Sequence, residues 1–346
     1  MLRRLTLALL AALATAAGAW QWAHYHLSRP LAIAPATELL VVEKGESLSS
    51  LSARLRADGI LSSALSLRLY ARFSGRHRIH PGDYRLVPGD TALGLITKLE
   101  RGDVIRYSIT FPEGWTLAQW RALLARERLL ISLTRALSGA DLAADLGIDA
   151  TNPEGWFSPN TYFFVAGDSD RDILERAHRR QSDMLERLWR ERAEDLPYAN
   201  PYEALIMASL VERETGLAAE RPQIAGVLVR RLRIGMRLQT DSTVIYGLGA
   251  RYAGKLSRAH LAEANDYNTY VIDRLPVTPI GNPGDDALRA ALHPGAGDAL
   301  YFVARGDGSH EFSGTLDAHQ RAVRRYQLQR AKDYRSTPKP QEAGSP

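Results

Sequence analysis

The sequence predicts an α+β protein in three parts: an N-terminal membrane helix, a small α/β module and a larger α+β domain. Three observations carry this reading. An uncharged apolar run opens the chain, two similar strand–turn–helix phrases follow, and beyond them helical stripes alternate with short strands of period two. The 346 residues, 45% hydrophobic and 24% charged, suffice for two or three domains with a sizeable core.

The opening run, LTLALLAALATAAGAW at 5–20, follows Arg3 and Arg4. Taken over 5–26 it is long enough to cross a bilayer, with residues 1–4 cytoplasmic and the remainder outside. Trp20, Trp22 and Tyr25 suit the interface at the exit. Ala14-Thr15-Ala16 and Ala17-Gly18-Ala19 also fit signal-peptidase sites, so a cleaved leader is the rival reading. Either way, the bulk of the chain crosses the membrane. With no cysteine, disulfides, thiolate metal sites and cysteine nucleophiles are excluded. The net charge of +5 comes from 44 basic and 39 acidic residues without a massed basic block, so no nucleic-acid partner is expected.

The module spans 36–104, after a linker with Pro30 and Pro35. Its first phrase is LLVVEKGESLSSLSARLRADG, with Ser47 as helix cap, Leu48, Leu51 and Leu55 on one face, and Gly59 at the stop. The second, YRLVPGDTALGLITKLERG, has Thr91 as cap and Gly102 as stop. These phrases resemble the LysM carbohydrate-binding module, although the helical segment between them, Ala64 to Phe73, is longer than that pattern. Glycan binding and plain packing are both open for it.

The larger domain spans 105–335, ahead of a polar, proline-rich and disordered tail at 336–346. Alternation predicts a strand at Ile105–Phe111; Thr116 then caps a helix, and a long helix runs from Asp170 to Glu194. Between them, EGWFSPNTYFF at 154–164 reads as an aromatic loop. Phe163 and Phe164 are expected in the core, whereas Glu154, Trp156 and Tyr162 are candidates to line a polar pocket, with core packing the alternative for the two rings. Further on, Pro222 starts a helix with Ile224, Val227, Leu228 and Leu232 inward, and 235–238 reads as a short strand. Gln239, Asp241 and Tyr246 follow that strand's end, with Asp241 either capping a helix or facing a cleft. The turn-rich Asn268, Tyr270 and 282–284 form the expected far wall. Leu300–Val303 and 310–312 make a hairpin. His293, His310 and His319 lack zinc-ligand spacing, so no metal is expected.

The central stretch runs from Ala204 to Gly249. Pro201 opens a helix expected to stop at Gly216, and in it Met207, Leu210, Val211 and Glu214 fall at i, i+3, i+4 and i+7. A carboxylate therefore continues an apolar stripe, where its ionised form is disfavoured and it can hold a proton for general-acid work. Glu212 points elsewhere. The phrases ASLVERET and RRLRIGMRLQTDSTVIYGLG resemble the endolytic murein transglycosylase (YceG-like) family. So do EGWFSPNTYFF, GKLSRAHL, YNTY, NPG, ALHP and YFVARGDGSHEFSGTLDAH, in fixed order over roughly 36–330.

The resemblance makes the larger domain the catalytic one and implies Glu214 as the acid. It also implies internal cleavage of peptidoglycan glycan strands between N-acetylmuramic acid and N-acetylglucosamine, leaving a 1,6-anhydro end. No cofactor is implied. An uncleaved single-pass anchor in the cell membrane, an extracytoplasmic domain and association with penicillin-binding synthases are. Ser242 departs from the family wording, where proline is common. Two rivals stand: a muramidase-type hydrolase using Asp241 or Glu154 as second carboxylate, and a non-catalytic wall-binding scaffold.

Overall fold

The computed structural model describes residues 2–34, 38–76 and 78–328. The expected tail at 336–346, the last residues of the larger domain, the first two of the module and the side chains of Arg3 and Arg4 lie outside the described residues. The chain forms two compact units. One holds Met1–Ile109 with Arg128–Ile131 and Phe163–Ser169; the other holds Thr110–Glu127, Ser132–Tyr162 and Asp170–Pro346.

In the first unit, α1 (Leu2–Leu27) precedes β1 (Leu39–Val42), α2 (Leu48–Ala57), α3 (Ala64–Ser74), β2 (Gly82–Arg85) and α4 (Ala92–Arg101). The strands pair antiparallel from Leu39↔Arg85 to Val42↔Gly82. Leu40, Val42 and Tyr84 are buried while Leu39 and Val41 face water, the period-two pattern of a half-covered ribbon. Ser47 and Thr91 cap α2 and α4, and Gly102 ends α4 in the left-handed region. Leu51, Leu55, Leu67, Leu95 and Leu99 fill the core. Among the described residues no helix is long and apolar enough to cross a membrane. Leu7, Leu9, Leu10 and Leu13 of α1 are exposed, but Ala23 is buried, Leu27 joins Leu31 in the module core, and Trp20 stacks on Tyr70 of α3. The end of the helix is therefore a packing surface.

Strands β3 (Tyr107–Thr110) and β4 (Thr161–Phe164) pair, and the division between units runs through both. The second unit continues with α5 (Leu117–Leu124), α6 (Gly139–Leu146), α7 (Asp170–Arg190), α8 (Pro201–Glu214), α9 (Arg221–Arg233), α10 (Asp241–Leu248), α11 (Arg258–Ala262) and α12 (Asp285–Leu292). The antiparallel hairpin β5 (Tyr301–Ala304) and β6 (His310–Ser313) and then α13 (Leu316–Val323) complete it. Helix α8 is the centre: Ala204 to Val211 are all buried, and α7, α9, α10 and α12 pack around it. A second cluster stacks Phe111 flat on Trp120, with ring centroids 3.8 Å apart, beside Phe157 and Tyr162.

Several expectations need correction. Helix α7 stops at Arg190, and α8 ends at Glu214 with extended Thr215, not Gly216, as its cap. Residues 235–238 form no strand; the Arg231 guanidinium, rather than a neighbouring strand, takes the carbonyls of Arg237 and Leu238. Thr240 is the N-cap residue of α10, and Asp241 is its first helical residue. Phe163 is exposed while Phe164 is buried, because alternation along β4 turns successive side chains to opposite faces. Helix α12 was not anticipated.

Fully buried Trp120 makes no hydrogen bond through its indole N–H to any of the described residues. Trp120→Ala is therefore expected to cost about 3–5 kcal/mol in denaturant unfolding. Trp120→Phe, which forfeits no polar partner, should cost well under half of that.

Candidate active site

A cavity of about 410 Å³ opens in the second unit at the end of α8. Glu214 lines it from α8, Arg231 from α9, Leu238, Gln239 and Asp241 from the entry to α10, and Tyr270 from the following loop. Tyr301, Phe302, Leu316 and His319 close the other side.

Glu214 reaches this position because α8 is apolar on every side. Met207, Leu210 and Val211, which share its stripe, are wholly buried. Its Oε1 accepts a hydrogen bond from Ser242 Oγ at 2.7 Å, one that a proline at 242 could not supply. Burial pushes the carboxyl up to about 7. The Ser242 bond opposes this, Asp241 adds to it, and Arg213 and Arg231 pull the other way. Near neutrality the group can hold a proton and release it.

Glu212, two residues earlier, does different work. Its Oε1 accepts from Arg221 Nη2 at 2.9 Å and its Oε2 from the Gly284 N–H at 3.0 Å, and Arg221 also reaches Glu113 at 2.8 Å. This nearly buried ion pair ties α8, α9 and the 282–284 turn together. Burial raises the Glu212 carboxyl, against the pull of Arg221.

Of the expected site residues, Glu214, Gln239, Asp241 and Tyr270 converge on the cavity. The Tyr270 hydroxyl donates to Asp241 Oδ1 at 2.7 Å. Gln239 sits in the left-handed region at φ 54, unusual for a side chain with a Cβ. Hydrogen bonds from Gln239 N to Thr269 O and from Thr240 N to Thr269 Oγ1 hold it there.

The others belong to the scaffold. Buried Glu154 accepts from Leu117 N at 2.9 Å and from the Tyr246 hydroxyl at 3.1 Å, and burial raises it too to about 7. Asn268 donates to the carbonyls of His260, Leu261 and Glu263, and its Oδ1 accepts from Tyr270 N, so it positions the loop without lining the cavity. Tyr162 is buried, its hydroxyl on Ser158 O. Trp156 stacks on Tyr202. Asn282, expected in the far wall, is buried and braces Trp115 and Phe157 instead.

Sequence reading missed Arg231, Tyr301, Phe302, Leu316 and His319 as cavity residues. For Arg231 the signal was present. With Ile224, Val227 and Leu228 it repeats the i, i+3, i+4, i+7 spacing that singled out Glu214, a charge ending an apolar stripe. Tyr301, Phe302, Leu316 and His319 arrive by tertiary packing, which no local pattern announces.

The YceG-like family pattern matches residues 40–325. The chain belongs to the YceG-like family. This YceG-like chain is 29% identical, over 82% of its length and 83% of the relative's, to the endolytic murein transglycosylase of Bacillus subtilis. It is 23% identical to the endolytic murein transglycosylase of Streptococcus pneumoniae, of whose longer chain the match spans 57%. A crystal structure of a YceG-like protein from Listeria monocytogenes shares the fold with a TM-score of 0.52 at 27% identity, over 82% of this chain and 98% of that one.

The two glutamates of the E-x-E pair should respond oppositely to neutralisation. Glu212→Gln strips Arg221 of its buried carboxylate partner, leaving the exposed Glu113 and Asp286, and is expected to cost about 1–3 kcal/mol. The folded Glu214 carboxyl titrates above its unfolded value of 4.5. Its proton is retained on folding, so it weakens the fold progressively as pH rises from about 4.5 to about 7, and fully above that. Glu214→Gln should then match wild type at pH 4 and exceed its stability by about 2–3 kcal/mol at pH 8. Denaturant titrations at the two pH values check both.

Proposed function

We propose that this chain is an endolytic murein transglycosylase that cleaves the bond between N-acetylmuramic acid and N-acetylglucosamine in peptidoglycan strands. The carrying observation is a carboxyl group held near its titration midpoint at neutral pH, facing a cavity fit for a sugar residue. The names of the bacillar and streptococcal relatives support the same substrate.

In this reading Glu214 protonates the glycosidic oxygen as the C1–O bond breaks. The muramyl C6 hydroxyl attacks C1 and returns its proton to the Glu214 carboxylate, leaving a 1,6-anhydro end and consuming no water. An attacking hydroxyl already on the substrate gains from proximity. One carboxylate suffices, whereas most glycoside hydrolases use two. Glu154 is engaged in bracing α5, which argues against it as a partner. Asp241 lines the same cavity and supports the rival hydrolase, whose product would carry a reducing end.

The exposed leucines of α1 support reading that helix as a membrane anchor, with the catalytic unit outside the cytoplasm, where peptidoglycan lies. The paired strand–helix phrases of the module support a LysM-like reading. Nascent strands supplied by penicillin-binding synthases belong to the same proposal.

The test incubates detergent-solubilised full-length chain, wild type or Glu214→Gln, with uncrosslinked strands and weighs the fragments by mass spectrometry. Anhydro-ended fragments are expected from wild type, with turnover lowered about 10²–10⁴-fold in Glu214→Gln. Fragments heavier by one water would establish hydrolysis, and equal release by the variant would remove Glu214 from the role. The profile of kcat/KM should fall above about pH 7, as the acid is lost. Ser242→Ala, which removes a bond favouring the carboxylate, should move that limb to higher pH.

A further inference from the structure

The cavity holds a cation that acts on Glu214 only through its field and forms no ion pair with it. Arg231 is buried, with 7% of its surface exposed, yet among the described residues it forms no ion pair. Its Nε donates to Leu300 O at 2.6 Å, and its Nη1 to Leu238 O at 2.7 Å and Arg237 O at 3.3 Å. The guanidinium lies over the Tyr301 ring, 5.2 Å from the centroid. These contacts fix the plane of the group, and they engage every donor nitrogen except Nη2. No hydrogen bond of Nη2 to another described residue is found, and Arg231 contributes to the cavity wall.

A guanidinium keeps its charge even when burial opposes it, so a desolvated arginine without a carboxylate leaves a strong, directed donor site unfilled. The neighbours within the cavity do not fill it. Asp241 is committed to the Tyr270 hydroxyl and stands beyond ion-pair distance of Arg231, as does Glu214. His319, stacked on Tyr301 at 5.1 Å, has a buried Nδ1 without a partner among the described residues. Two polar groups without a described partner therefore meet at one aromatic ring in the cavity wall.

We propose that Arg231 is the anion-binding residue of the cavity and that its Nη2 edge takes a carboxylate carried by the muramyl residue of the substrate. The proposal rests on the glycan-strand reading and deepens it. The carboxylate has two sources: the lactyl group, on strands stripped of peptide, and the stem peptide, on strands that retain it. Charge-assisted hydrogen bonds to a group already pinned in place lose little on binding.

The test separates binding from turnover. Fluorescence anisotropy measures the affinity of the full-length Glu214→Gln chain, with Arg231 intact or changed to Met or Lys, for labelled glycan strands. The strands are used peptide-bearing and peptide-stripped, each before and after carboxyl amidation. Amidation is expected to weaken binding to the Arg231 chain at least about tenfold. An effect confined to stripped strands assigns the lactyl carboxylate; one confined to substituted strands assigns the stem. Arg231→Met should bind native and amidated strands alike, and Arg231→Lys should recover part of the difference.

Equal affinity of the Arg231 chain for native and amidated strands overturns the proposal, as does an amidation effect that survives in a folded Arg231→Met chain. Should Arg231→Met fail to fold, Arg231→Lys and the amidation series decide. Mass spectrometry of wild-type products tests the Glu214 chemistry separately: absent anhydro ends would defeat that reading while the anisotropy result stands.

Discussion

The middle of helix α8 has no solvent face. From Ala204 to Val211 each side chain is enclosed by the neighbouring helices, and the chemistry of the unit depends on that enclosure. A helix so buried cannot carry charge through its middle, so its carboxylates sit in the end turns, Glu203 in the first and Glu212 and Glu214 in the last. There the cost of desolvation meets each of them differently. Glu212 is met by Arg221 and a backbone N–H; Glu214 is met by one hydroxyl and an open cavity. One becomes a clamp and the other a carboxyl that can hold its proton near neutrality, from the same residue type two positions apart.

The clamp and the cavity are mechanically linked. Arg221 begins α9, and α9 carries Arg231 into the cavity nearly three turns later, so the ion pair that anchors the start of α9 also aims its far end. Backbone strain is stored close by. Gln239 keeps a left-handed conformation between Arg231 and Asp241 because a buried trio of threonines, Thr240, Thr243 and Thr269, holds the adjoining backbone by hydrogen bonds. Strain retained beside a reactive group is a usual companion of preorganisation.

Legibility in the sequence followed the strength of the local signal. Caps such as Ser47, Thr91 and Thr116 could be read directly, because a side chain three residues from the N–H it accepts is a local geometry. Glu214 could be read because periodicity exposes a charge on an apolar stripe. Helix α12 escaped because it is only eight residues long, too short a run for its apolar stripe to establish a period. Segment 235–238 looked like a strand but found a guanidinium where a strand partner was needed. Glu154, Tyr246 and Asn268 have the chemistry of site residues, and only the tertiary structure shows that they brace loops. Asn268 and Tyr270, two residues apart in one turn, divide into scaffold and wall for reasons that reside in distant carbonyls.

The burial of Ala23, Leu27 and Leu31 also governs where the chain can be shortened. A fragment begun at residue 36 would remove Leu27 and Leu31 from the module core, together with buried Ala23 and the indole that covers Tyr70. The natural cut lies upstream, before Trp20, in the stretch whose leucines face outward. Cleavage after Ala16 or Ala19 would spare the buried turn. A helix rooted in this way is a rigid stalk, and whatever holds its outer turns also sets the orientation of the small module.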